Sequence, residues 1–231
     1  MERVERLVMD ASQYVDIAFS ARGRTVPRDH GYALYSALSG CLPSIHGADW
    51  IAIHGFSGWV LDAETMVLES AGVLRVRVPA QRIAELLALV GTTLEVAGHR
   101  IQIGAPTVHA LPPVAVLDAR LVVIRLTGGI AKPFDRAVFE RRFLAEARRQ
   151  LAALGICGEL ELSGRQSLRV AKQRILGHSV RVFGLSMDDS LKLQVLGLGG
   201  KRTMGCGIFR PARNVPPVRG GRVIAVAASA L

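Results

Sequence analysis

Twice along its length the chain runs through short β-rich segments and amphipathic helical segments in one order: strand, helix, strand, strand, helix, strand. In the first half VDIAFSA (15–21) is apolar and β-rich. Pro27 and Asp29 then precede a helical pattern from about His30 to Ser39, with Asp29 as the capping residue. IAIHGFSG (51–58) and GVLRVRVP (72–79) read as strands, the second alternating valine with arginine. PAQRIAELLALVG opens on Pro79, places Ile83, Leu86, Leu87 and Val90 on one face and stops at Gly91, as an amphipathic helix does. TTLEVAG and HRIQIGA close the unit as strands.

The proline-rich ALPPVAV (110–116) is a junction, after which the plan repeats. RLVVIRLTGG (120–129) reads as a strand, residues 134–155 as a long amphipathic helix and ICGELELSG as a strand. SLRVAKQRIL and SVRVFGL read as a hairpin turning at Gly177 and His178. DDSLKLQVLGLGG is a helix with an acidic start or a strand, and IFRP an edge strand ended by proline. This order implies an α+β protein with two ferredoxin-like βαββαβ domains in tandem, the architecture of RNA-recognition modules. The expected division is 1–112, 113–213 and a tail, 214–231. The halves share the order of elements, not their sequence.

Charge divides at the same place. Residues 1–115 carry 9 Lys/Arg against 11 Asp/Glu, and residues 116–231 carry 20 against 8. A positive field concentrated in one half points to a polyanion, because neutralised phosphates release counterions. No apolar run reaches the roughly 20 residues that span a bilayer, and the charged MERVERLVMD lacks a signal peptide's apolar core. A cytoplasmic protein without membrane contact is expected. Three cysteines form neither a disulfide framework nor a CxxC knuckle.

GLGGKRTMGCGIF (197–209) sets five glycines around two adjacent cations. It lacks the GxxxxGK[ST] spacing of a P-loop. It also lacks the following helix and acidic residue of a dinucleotide fingerprint. What remains is a loop whose glycines permit positive φ and close approach of a ligand, with Lys201 and Arg202 adding charge.

Placed near the end of two ferredoxin-like units, this stretch resembles the glycine-rich loop of the RAMP superfamily of CRISPR-associated proteins. The histidine in PRDHGYALYSAL, at the first helix, makes the chain similar to the CRISPR repeat-processing endoribonucleases of that superfamily, the Cas six family, over residues 15–211. The resemblance implies a partner, CRISPR repeat RNA as precursor and as mature guide, cut once per repeat without metal or cofactor. The 2′-hydroxyl attacks the adjacent phosphate and leaves a 2′,3′-cyclic phosphate and a 5′-hydroxyl. Other Cas subunits of an interference complex are implied as further partners. A reading of another class is a non-catalytic RAMP subunit that holds guide RNA inside such a complex.

Such a cut needs a base, an acid and cations around the phosphate. His30 is the first candidate base, expected at N1 of a helix capped by Asp29, where the helix dipole disfavours imidazolium. Tyr32 is a nearby hydroxyl, Lys172 a cation for the transition state, and His46 in PSIHGADW the alternative histidine. RNA contacts are expected from Arg24 and Arg28, from Arg169, Lys172 and Arg174 of the basic hairpin, and from Gly199, Gly200, Lys201 and Arg202.

Overall fold

The computed structural model describes residues 13–68, 72–128, 134–171 and 173–212; Lys172 and the expected tail lie outside them. The first half runs β1 (Tyr14–Arg22), β2 (Thr25–Pro27), α1 (Gly31–Cys41), β3 (Ala52–Ile53), β4 (Gly58–Val60), β5 (Thr65–Leu68), β6 (Gly72–Pro79), α2 (Ile83–Leu86), β7 (Thr93–Val96) and β8 (His99–Ala110). The second runs β9 (Val116–Val122), α3 (Arg136–Ala153), β10 (Glu159–Val170), β11 (Gln173–Phe183), α4 (Met187–Leu196) and β12 (Arg210–Pro211). Antiparallel pairing gives a five-stranded sheet ordered β3-β6-β1-β8-β7 and a four-stranded sheet ordered β10-β11-β9-β12. Both contain the βαββαβ order with the first and third strands central, so both halves are ferredoxin-like. A third sheet, β2-β5-β4, stands outside that plan and has no counterpart in the sequence reading.

Alternation explains the first sheet. Ile17, Phe19 and Ala21 of β1 and Leu74, Val76 and Val78 of β6 share one core with Leu34 and Leu38 of α1 and Leu86 near the end of α2. Leu34 and Leu38 lie one turn apart, the spacing that gives a helix one apolar stripe. Pro43 follows shortly after α1, where the chain can no longer stay helical. In the second half Asp135 caps α3 by accepting a hydrogen bond from Val138 N–H at 3.0 Å. Phe139, Phe143, Ala147 and Leu151 then fall on the face buried against β9 and β11. Ser186 caps α4 in the same way, so DDSLKLQVL is a helix.

Several expected elements shift. Only Ala52 and Ile53 of 51–58 pair in the first sheet, and Gly58–Val60 belongs to the third. The helix expected over 79–91 is three short turns, with 3₁₀ geometry flanking α2. The hairpin turns between Val170 and Gln173, not at Gly177 and His178. A Cβ on Gly177 would lie 2.0 Å from the Val122 carbonyl oxygen, so this glycine serves close approach of β11 to β9. His178 is buried between the rings of Phe139 and Phe143 rather than at a tip.

The arginines of GVLRVRVP do not all face water. Arg77 is 1% exposed and pairs with Asp16, its register partner on β1, through Nε–Oδ1 at 2.7 Å and Nη2–Oδ2 at 3.1 Å. Its Nη1 donates to the carbonyls of Gln194 in α4 and Phe209 before β12, at 2.7 and 2.9 Å. One guanidinium therefore joins the first sheet to the second half of the chain. Asp16→Ala or Arg77→Met leaves a buried partner uncompensated, and each should lower the unfolding free energy by about 3–5 kcal/mol in urea titrations. A loss below about 1 kcal/mol in both would show that the pair does not hold the halves together.

Candidate functional site

The glycine-rich turn of the second half rests on the start of α1. A Cβ on Gly31 would lie 2.3 Å from the Met204 carbonyl oxygen, so only glycine fits at this contact. Met204 and Cys206 share a small core with Leu121, Val123 and Leu168, and Tyr35 of α1 packs against it. The turn at 28–29 is tied to the hairpin by Asp29 Oδ2, which accepts from Arg169 N–H at 2.6 Å. Asp29 does not cap α1, as the sequence reading expected; His30 is itself the N-cap residue and makes no side-chain cap bond.

His30 is buried, at 6% exposure, and both ring nitrogens are engaged. Nδ1 lies 2.8 Å from the Pro27 carbonyl oxygen, and Nε2 accepts from Phe56 N–H at 2.9 Å. The partners fix the neutral Nδ1–H tautomer, since the first is an acceptor and the second a donor. Burial is the main cause that holds the imidazole below its ordinary pKa, with the charge of Arg120 adding to it. Both ring nitrogens are thus taken up inside the protein in this geometry, where the sequence reading expected a helix-start base open to substrate. Its geometry joins the start of α1 to the 54–57 segment.

His46 sits in the other environment. It is exposed on the segment after α1, stacked on Tyr35 with ring centroids 6.2 Å apart. The Tyr35 hydroxyl accepts from Gly47 N–H at 3.0 Å, and Arg82 lies 4.7 Å over the Trp50 ring. These contacts tether both ends of the 46–50 segment beside an aromatic ring that also touches the glycine turn. Of the other histidines, His54 and His178 are buried, His99 bonds Thr25 Oγ1 at 2.9 Å, and His109 is exposed on β8.

The expected RNA contacts separate into two groups. Arg24 and Arg28 are exposed at the two ends of β2, and Tyr32 is exposed on the first turn of α1. Arg169 and its cross-strand partner Arg174 are exposed on the hairpin, held at the Arg28–Asp29 turn by the Asp29–Arg169 bond. Lys201 is exposed in a left-handed conformation, φ 65°. Lys172 lies outside the described residues.

Gly199, Gly200 and Arg202 are not presented to a ligand in this way. Gly199 N–H donates to Gln150 Oε1 at 2.8 Å and Gly200 N–H to the Val123 carbonyl at 3.0 Å, so these amides are spent inside the protein. Arg202 turns inward: its Nε and Nη2 are buried without hydrogen-bond partners, and burial lowers its pKa to about 10. The loop glycines serve packing of backbone on backbone. Gly197 and Gly207 have φ +68° and +65°, and a Cβ on Gly197 would lie 2.1 Å from the Gly207 carbonyl oxygen.

Asp16, which the sequence reading did not single out, and His54 are both buried. Burial pushes the Asp16 carboxyl up, but His54 and Arg77 outweigh it and hold it well below the usual carboxylate range. His54 Nε2 stands 3.8 Å from Asp16 Oδ1, too far for a hydrogen bond, and burial holds its pKa at about 4. His54 is therefore neutral when folded and ionises near 6.5 when unfolded. Between these values the unfolded chain binds more protons, so stability falls as pH is lowered from 6.5 towards 4. The His54 share is on the order of 3 kcal/mol at the acid end. Urea titrations at pH 7.5, 6.0 and 5.0 should show this decline, with a shallower slope in His54→Gln. An unchanged slope in that variant would contradict it.

Comparison with known proteins covers nearly the same span. Residues 15–214 match the family model described as Cas6 Crispr. The CRISPR-associated endonuclease Cas6 of Myxococcus xanthus is 39% identical over 210 residues, 91% of this chain and 84% of that protein. A solved CRISPR-associated protein Cas6 superposes with TM-score 0.61 at 13% identity, covering 87% of this chain and 99% of its own. A Cas6-related protein from Pyrococcus furiosus gives 0.60 at 14% identity, covering 85% and 98%. Among the described residues no helix is long and apolar enough to cross a membrane.

Proposed function

The chain belongs to the Cas6 family, and we propose that it is an endoribonuclease that binds CRISPR repeat RNA and cuts it by attack of a 2′-hydroxyl on the adjacent phosphate. The observation that carries this reading is the 39% identity, over nine-tenths of the chain, to a protein named as a Cas6 endonuclease. The exposed Arg28, Arg169, Arg174 and Lys201 around the contact between α1 and the glycine turn support a phosphate-binding face. His46 is the base that takes the 2′-hydroxyl proton, because its ring is exposed and held beside that face by Tyr35. As the proton passes to His46 the 2′-oxygen bonds to phosphorus, the P–O5′ bond breaks and the departing 5′-oxygen takes a proton from water, so the products are a 2′,3′-cyclic phosphate and a 5′-hydroxyl.

His30 acts at one remove. By holding Pro27 and Phe56 it sets the start of α1 against the 54–57 segment, and Tyr32 stands exposed on the first turn above it. Mature guide RNA and other Cas subunits are the further partners of this reading, in a cytoplasmic setting.

The test is incubation of the purified protein with its repeat RNA in EDTA. A single cut with a cyclic phosphate end, abolished by one 2′-deoxy substitution at the cut nucleotide, is the expected result. Tight binding without any cut would replace it with the binding-only subunit. Cleavage that survives the 2′-deoxy substitution would rule out the proposed attack.

A further inference from the structure

Arg120 played no part in the sequence reading, yet the fold gives it a specific position. It lies on β9, a central strand of the four-stranded sheet, where a backbone contributes little freedom of movement. The pairing of β9 with β11 slips by one residue between Val180–Ala119 and His178–Val122. Arg120 and Leu121 of β9 stand opposite Ser179 alone, so the extra residue lies on β9, and Ser179 donates its hydroxyl to the Arg120 carbonyl at 2.6 Å. Irregularities of this type re-aim the side chains beside them.

The Arg120 side chain is exposed, and its guanidinium has no hydrogen-bond or ion-pair partner among the described residues. It nonetheless stays near the glycine turn. A Cβ placed on Gly205 would lie 3.7 Å from Arg120 Nη2, 3.6 Å from Gly55 N and 3.7 Å from the Ile53 carbonyl oxygen. The guanidinium thus stands across Gly205 from the 53–55 backbone, where the two halves of the chain meet. Its charge is felt at His30 and at Cys206, and that of Lys201 is felt at Cys206 as well.

We infer that Arg120 is an RNA-positioning residue, a clamp on one backbone phosphate where the strand crosses from the glycine turn to the start of α1. Arg181, by contrast, is already paired in a fork with Asp118 at 2.7 and 2.8 Å, and Arg77 is fully engaged beneath the face. An arginine on a rigid strand, with its fork unpaired and facing outward, suits bidentate recognition of a phosphate. Gly205 has φ +81°, a conformation that disfavours a side chain, and a Cβ there would only reach van der Waals contact with Arg120 and the backbone of residue 55. The assignment rests on the endoribonuclease reading of the same face.

The experiment compares wild type, Arg120→Ala and Arg120→Lys on a synthetic repeat RNA carrying the 2′-deoxy substitution at the cut nucleotide, across 50–200 mM salt. Arg120→Ala should bind about tenfold more weakly at low salt, with a slope of log affinity against log salt shallower by about 0.7. Its thermal midpoint should stay at the wild-type value. Arg120→Lys should restore most of the slope but not the full affinity, because it keeps the charge without the fork. Wild-type affinity and slope in Arg120→Ala would overturn the clamp while leaving the endoribonuclease reading in place. Failure of the wild-type protein itself to bind the repeat would overturn both.

Discussion

One buried guanidinium holds this architecture together. Arg77 takes both oxygens of Asp16 within the first sheet and two backbone carbonyls from the second half of the chain. A desolvated charge is costly unless its donors are matched, and here the partners come from β1, α4 and the segment entering β12. That arrangement fixes how α4 and the segment entering β12 lie on the first sheet. The glycine turn runs between those same two anchors, Gln194 and Phe209, so its contact with α1 follows from the anchoring of Arg77.

This changes what the glycines mean. Gly197 and Gly207 let two arms of the turn press backbone on backbone, and Gly31 lets the start of α1 meet Met204. In the turn so formed Arg202 is folded inward and Lys201 is left outside. The turn supplies shape to the candidate face, while most of the exposed charge comes from strand, hairpin and helix-start arginines. Function of this kind depends on placement more than on the loop's own amides, which are already occupied.

The order of elements could be read in the sequence because period-two and helical patterns record which face of each element is buried. Long-range contacts leave no such record. The alternation in GVLRVRVP places Arg77 opposite the valine face but says nothing about what covers that face, which comes from residues 194 and 209. His30 looks like a free helix-start histidine until Phe56, 26 residues later, supplies an N–H to its ring. Gly177 and His178 resemble a turn, whereas the real turn uses Ala171 at φ +50°, a residue with no turn signature. His46 was visible only as an alternative, since its exposure depends on how the segment after α1 is tethered.

In the proposed reaction His46 takes the proton and His30 holds the frame. Single-turnover cleavage of repeat RNA by His46→Ala and His30→Asn, with RNA binding and thermal midpoint measured on the same samples, tests it most directly. His46→Ala should lose about 10²–10⁴-fold in rate with binding and midpoint unchanged, and His30→Asn should show a lowered midpoint with a much smaller loss of rate. Cleavage at the wild-type rate by His46→Ala, or a folded His30→Asn protein that binds RNA and does not cut, would contradict it.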